Sequence, residues 1–335
     1  MMAAIGLMLA LMLPLASAHT VGTVGPVSVA QDDKADKAKE EYEAYIKYYN
    51  AYQEKKIPEA IKLAKAYLEK FPEGQYAGAL KTWVNSPGVR AFEFEEARKA
   101  KNTNEMIRIA REALAEDPEN LDYIYLLAVH IRQNHLSPQG VSFTTEAREF
   151  TEKAIKLVEG GKVPNVVDKA KWKQNEILGY FNETLAKLEE NNKNADRALE
   201  YYMKAASLDP SKPANFFDCG RLHQIKYVKA VENYNKFSDE ERSAPEDQIK
   251  PEVKAAFDEV NNQVDKVIDC WARFMAVSAT NDGWASTRDK VGGELTKLYN
   301  YRHPDNPDGL QKLIEQLRTG APSASAGNTS ASSKP

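Results

Sequence analysis

The chain has 335 residues, with 45 Lys plus Arg against 49 Asp plus Glu, and its formal net charge of -4 leaves no basic field to hold a phosphate backbone, which excludes nucleic acid as a first partner. At 42% hydrophobic it can bury a core or a series of stacked cores, which excludes wholesale disorder. Two cysteines are too few for a disulfide-dense scaffold or a four-cysteine zinc site and leave room for one bridge.

Charge divides the chain into three parts: no Asp, Glu, Lys or Arg precedes Asp32, and after Arg318 the only one is Lys334. The first part opens on an apolar run, residues 5–13, of the length of a signal-peptide core, and Ala16-Ser17-Ala18 puts small residues where a signal peptidase reads. This predicts an export signal over 1–18, with a second candidate cut after Ala30 in Ser28-Val29-Ala30, then a flexible linker over 19–38. The usual positive n-region is missing, which keeps an uncleaved anchor as the alternative. No other stretch reaches the roughly 18 uncharged apolar residues of a membrane helix. The expected location is outside the cytoplasm, in a periplasm or secreted.

From residue 39 the chain reads as helix almost throughout, without strand pairs, because apolar residues recur at three and four spacing while Gly and Pro gather between segments. The first helix is rich in tyrosine: Tyr42, Tyr45, Tyr48, Tyr49 and Tyr52 are five of the sixteen in the chain, and Tyr42, Tyr45, Tyr49 and Tyr52 share a face. Such a face either packs on the next helix or offers rigid rings with polar tips for recognition. The second helix, 57–72, has Pro58 in its first turn and stops at Pro72. Within it Ala60, Ala64, Tyr67 and Pro72 stand at offsets 0, 4, 7 and 12, and the same offsets recur at Met106, Ala110, Ala113 and Pro118 and at Ala198, Tyr202, Ala205 and Pro210. A weaker copy, Ala147, Thr151 and Ala154, ends at Gly160-Gly161 instead of Pro. Small residues at those offsets let a neighbouring helix approach on one face, and the Pro fixes the stop.

This pattern resembles the second helix of the tetratricopeptide repeat, and Leu178-Gly179 resembles the Leu-Gly pair of its first helix. The stretch from Ala60 through Phe71-Pro72 to Tyr76-Ala77 also looks like the repeats of exported bacterial envelope scaffolds, including outer-membrane-assembly and Tol-Pal-associated proteins; the acylated cysteine of the outer-membrane-assembly lipoprotein has no counterpart here. The resemblance implies an all-α fold, an α-α superhelix of antiparallel helix pairs, over 39–210. It also places Tyr42, Tyr45, Tyr49 and Tyr52 at the positions that line the concave, peptide-binding surface of that family, and Tyr48 at a packing position. The family's Lys and Asn carboxylate clamp is not matched.

Pro72 and Pro118 are 46 residues apart, more than the repeat's roughly 34, so each unit carries extra chain, and Ser86-Pro87-Gly88 suggests an added short helix. Leu136-Ser137-Pro138-Gln139-Gly140 reads as an inserted loop. Over 211–318 the pattern predicts divergent helical pairs and a terminal cap, with helices near 213–236 and 251–279. Cys219 and Cys270 have their sequence midpoint between Ala244 and Pro245, so a hairpin turning there sets them level. They then either bond, which adds about 4 kcal/mol on the chain-entropy estimate, or remain two buried thiols. Residues 319–335, mostly Ser, Ala, Gly, Thr and Pro, predict a disordered tail.

Catalytic patterns are sparse. The chain has no HExxH, GxSxG, Walker loop or CxxCH, and His130 and His135 lie five apart, off one helical face. No catalytic residue, metal site or cofactor is expected, and nothing specifies an oligomeric state. The functional expectation is a non-catalytic exported scaffold that binds a protein or peptide, with a binder of small ligands or glycans in the cell envelope as the alternative and an enzyme third.

Overall fold

The computed structural model describes residues 29–137 and 140–320. The expected export signal over 1–18 with its cut after Ala18, Pro138 and Gln139, and 321–335 of the expected tail lie outside the described residues. The fold is all-α, and the described residues form two compact units that divide between Ala91 and Phe92.

In the first unit α1 (Val29–Gln53) packs on α2 (Ile57–Lys70), and α2 on α3 (Ala77–Val84). Helix α1 begins inside the segment expected to be linker, so 29–38 are helical and the alternative cut after Ala30 falls in its first turn. The core of this unit joins Tyr48 and Ala51 of α1, Ala60, Ala64 and Tyr67 of α2, and Ala77 and Leu80 of α3. The Ser86-Pro87-Gly88 break divides α3 from α4 (Pro87–Lys99), which begins with that proline and runs on into the second unit.

The second unit continues with α5 (Thr103–Glu116), α6 (Leu121–His135), α7 (Thr144–Glu159), α8 (Gln174–Asn191), α9 (Ala195–Leu208), α10 (Pro213–Tyr234), α11 (Asp239–Arg242), α12 (Pro251–Ser278), α13 (Ala285–Arg302) and α14 (Gly309–Thr319). Consecutive helices from α5 to α10 pack on one another, α10 pairs with α12, and α12 carries α13 and α14. This arrangement is compatible with a helical-repeat array. One detail departs from the sequence reading: Leu136–Ser137 and Gly140–Val141 pair antiparallel, so the inserted loop is a minimal β-hairpin where no strand was expected.

The three strong copies of the offset pattern occupy matching environments. Ala60, Ala64 and Tyr67, then Met106, Ala110 and Ala113, then Ala198, Tyr202 and Ala205 are all buried. Their helices α2, α5 and α9 each end two residues before Pro72, Pro118 and Pro210. At each end the residue before the proline leaves the helical region, as the pyrrolidine ring requires, and its N–H bonds the carbonyl of Tyr67, Ala113 or Ala205. The three prolines themselves are exposed.

The helices that enter these units also end alike. Lys55, Lys101 and Lys193 adopt left-handed backbone, φ 59, 54 and 60°, just past α1, α4 and α8. The N–H of the following residue reaches back to the carbonyl of Ala51, Ala97 or Glu189 at 3.0, 2.8 and 2.9 Å. That is the helix-closing turn in which a glycine usually stands, and here lysine fills it three times. Gly179 of α8 lies close to the C-terminal end of α9: a Cβ there would come within 3.1 Å of Asp209 Cβ and 3.3 Å of the Ala205 carbonyl oxygen. The Leu178-Gly179 pair thus marks a tight helix approach.

Candidate functional site

The tyrosine face of α1 is built in two layers. The inner layer is Tyr48, buried as its packing position implied, with its ring 5.1 Å from that of Trp83 at 61°. Tyr45 is half-buried and stacks on Tyr76 at 3.8 Å and 10°, so this one of the four face tyrosines is held by the loop before α3. The outer layer is Tyr42, Tyr49 and Tyr52, exposed at 53, 41 and 42%. Tyr49 lies 6.1 Å from Tyr45, and Tyr52 meets the edge of Trp83 at 5.6 Å. The face is therefore neither wholly core nor wholly free: Tyr45 anchors it, and three rings remain open to solvent. Trp83 and Tyr76, which complete it, carried no signal in the sequence because their contribution depends on where α3 folds back.

Behind the face a polar clasp fixes the loop that carries Tyr76. The Tyr67 hydroxyl donates to the Glu41 carboxylate and accepts from the Tyr76 N–H at 3.2 Å, while the Gln75 N–H donates to the same carboxylate at 2.5 Å. Gly74 sits in this clasp, and a Cβ there would come within 2.4 Å of Glu41 Oε1 and 2.6 Å of the Tyr67 oxygen. Burial pushes the Tyr48 phenol up to about 12, and burial with the Glu41 hydrogen bond does the same to Tyr67. Burial, aided by Tyr76 and Tyr49, also raises Tyr45. These phenols stay protonated donors at neutral pH.

Elsewhere the structure brings together two groups that their spacing kept apart. His130 and His135, five apart on α6, both reach Thr103 Oγ1 at the start of α5, through Nε2 at 3.0 and 2.6 Å, and His135 Nδ1 meets Ser142 Oγ at 2.9 Å. His135 is the last residue of α6, directly before the β-hairpin, and the hairpin's Ser142 completes its hydrogen bonds. Burial lowers both imidazoles below their usual value, with the charges of His135, Arg98 and Lys101 adding to the effect at His130. This chain of bonds satisfies buried polar groups and includes no carboxylate. Asn182, which begins an Asn-Glu-Thr glycosylation sequon, is buried, and its amide donates to the Leu178 carbonyl at 2.7 Å, so it is no acceptor site.

The second group is cysteine-based. Helices α10 and α12 run as a hairpin, joined through a connection that contains α11, whose Ser238 and Glu241 form a reciprocal capping box. Cys219 and Cys270 face each other across it with Cα atoms 5.9 Å apart and are joined as a disulfide. His223 stands one turn after Cys219, and the candidate metal-ligating atoms of Cys219, His223 and Cys270 lie within 4.8 Å of one another. Sequence reading set the cysteines level, leaving bond or free thiols open, and overlooked the histidine four residues on, because a single Cys-x-x-x-His spacing is common chance on a helix. Among the described residues this is the group of three that brings such atoms together, and no helix is long and apolar enough to cross a membrane. No protein-family model matches the chain, and no curated protein is similar to it.

Proposed function

We propose that the chain is a non-catalytic, exported scaffold of tetratricopeptide type that binds a protein or peptide segment on the tyrosine face of α1, the face that is concave in that family. The observation that carries this reading is the open outer layer. Among the described residues eight large hydrophobic side chains are exposed, and Tyr42, Tyr49 and Tyr52 are three of them on one short helical face. Rigid tyrosines backed by Tyr45, Tyr76 and Trp83 present apolar area at small entropy cost, the quality that makes aromatic anchors effective at interfaces. The repeated burial of the offset residues and their shared helix stops support the tetratricopeptide reading. The Cys219–Cys270 bridge supports an oxidising, extracytoplasmic location. A second reading, glycan binding, draws on Trp83 beside Tyr52, since flat aromatic faces also hold sugar rings.

The test is capture from envelope extract by the immobilised full chain. Loss of the captured protein in Tyr42→Ala/Tyr49→Ala, with the helical circular-dichroism signal intact, supports the first reading; undiminished capture sinks it. Retention on an immobilised oligosaccharide with no protein present favours the second. Turnover of a substrate by the purified chain overturns both.

A further inference from the structure

We propose that Cys219, His223 and Cys270, once a dithiol reductant has opened the bridge, form a three-ligand site for a thiophilic d10 cation, Zn2+ or Cu+. Two ligands come from one helix: Cys219 and His223 are four residues apart on α10, one above the other on the face turned to α12. The third, Cys270, is delivered level with Cys219 by the antiparallel α12. Metal–sulfur bonds of about 2.3 Å hold two thiolates about 4 Å apart, a spacing within reach of two cysteines whose Cα atoms are 5.9 Å apart. The 4.8 Å that encloses all three candidate ligand atoms is the size of one cation's coordination shell.

The histidine is already oriented for this task. Gln263 donates its amide N–H to Glu259 Oε1 at 2.7 Å, which turns Gln263 Oε1 toward His223 Nδ1 at 2.8 Å. An oxygen acceptor at that distance assigns the imidazole proton to Nδ1 and leaves the lone pair on Nε2. A ring nitrogen tied back in this way to an amide and a carboxylate is the outer support that fixed histidine ligands use. The surroundings are dry: Cys219, His223, Gln263 and Cys270 are exposed by 3, 4, 3 and 6%. Two thiolates neutralise Zn2+, and the charges felt at His223 are those of Lys266 and Lys226, the latter paired with Asp196, against Asp269. Soft sulfur with one imidazole selects these cations over Mg2+ or Ca2+.

The chemistry balances. The dithiol gives two electrons and two protons, closes to its own disulfide, and breaks the Sγ–Sγ bond to leave two thiols; cation binding then displaces the two thiol protons to solvent.

The experiment uses the full chain, reduced with dithiothreitol and desalted under nitrogen, and titrated with Co2+ as a coloured stand-in for Zn2+. The expected result is a thiolate-to-cobalt charge-transfer band that saturates at one equivalent in the reduced protein, does not form in the oxidised protein, and is bleached by Zn2+ or by Cu+ held in a chelator; whichever bleaches at the lower free concentration is the preferred cation. Gln263→Leu, which keeps all three ligands, weakens binding by about tenfold to a hundredfold, and Cys219→Ser and His223→Ala weaken it further. Absence of the band in reduced protein overturns the proposal, as does an affinity in His223→Ala and Gln263→Leu equal to that of the parent. Should His223→Ala lose its helical circular-dichroism signal, the Gln263→Leu titration alone decides.

Discussion

Gly220 shows how much a single missing methyl decides. A Cβ at this position of α10 would stand 2.1 Å from Cδ1 and 2.2 Å from Nε1 of Trp271, a rigid, buried indole on α12. In Gly220→Ala the helix gains about 1 kcal/mol in propensity, yet overpacking of about 1–3 kcal/mol at so close an approach exceeds it, so urea denaturation should find the variant less stable. Tyr67 is decided by its oxygen. Tyr67→Phe leaves Glu41 with the Gln75 N–H and strands the Tyr76 N–H, and a loss of about 1–2 kcal/mol is expected in the same measurement. His130 sets a pH dependence. Its folded value lies below the ordinary one because it is buried, so the unfolded chain takes up protons first as pH falls through about 6.5. Its contribution is complete above that value and declines toward the folded value. The denaturation midpoint should therefore drop between about pH 7.5 and 5.5, and His130→Gln should flatten the drop. Little of this was legible in the residue string. A helical glycine or a buried tyrosine looks like many others until the opposite side chain is known.

At the scale of the helix, much more could be read. The offset residues of α2, α5 and α9 are buried each within its own core, and the prolines stop all three helices in one way, so a pattern of only four residues carried both burial and boundary. What the pattern did not carry was the entry turn, because its left-handed residue is lysine where a reader looks for glycine or asparagine. That suggests a stabilising change: a β-carbon in left-handed backbone is costly, so Lys193→Gly should raise stability by about 1 kcal/mol, read as a higher urea midpoint, without touching any buried group. The tyrosine face was ambiguous for a related reason. Three and four spacing places four rings on one side of α1, but which of them is covered depends on Tyr76 and Trp83, contributed from beyond α2. Helix α1 itself was expected to start later, since its first charged turns carry no apolar stripe to announce them.

For the molecule as a whole, the sequence disclosed the class and the run of helices, while compartment and partner rest on the proposals above. The 51-residue separation of Cys219 and Cys270 makes the bridge a substantial restraint on the unfolded chain. Reduction, or Cys219→Ser/Cys270→Ser, should cost about 4 kcal/mol on the chain-entropy model, seen as a lower denaturation midpoint in the absence of added cation. The midpoint argument found this pair because a hairpin equates distances along its two arms; it had no means to find His223, which counts only once α10 and α12 are paired side by side. The first unit offers something different. Of the four tryptophans in the chain, Trp83 belongs to residues 1–91, and Trp172, Trp271 and Trp284 to 92–335. Trp83 touches two tyrosines of α1, so with the other three indoles replaced by phenylalanine the protein would carry its own optical probe: a molecule settling on the rings would shift or quench a single emission band, and occupancy could be followed without any label.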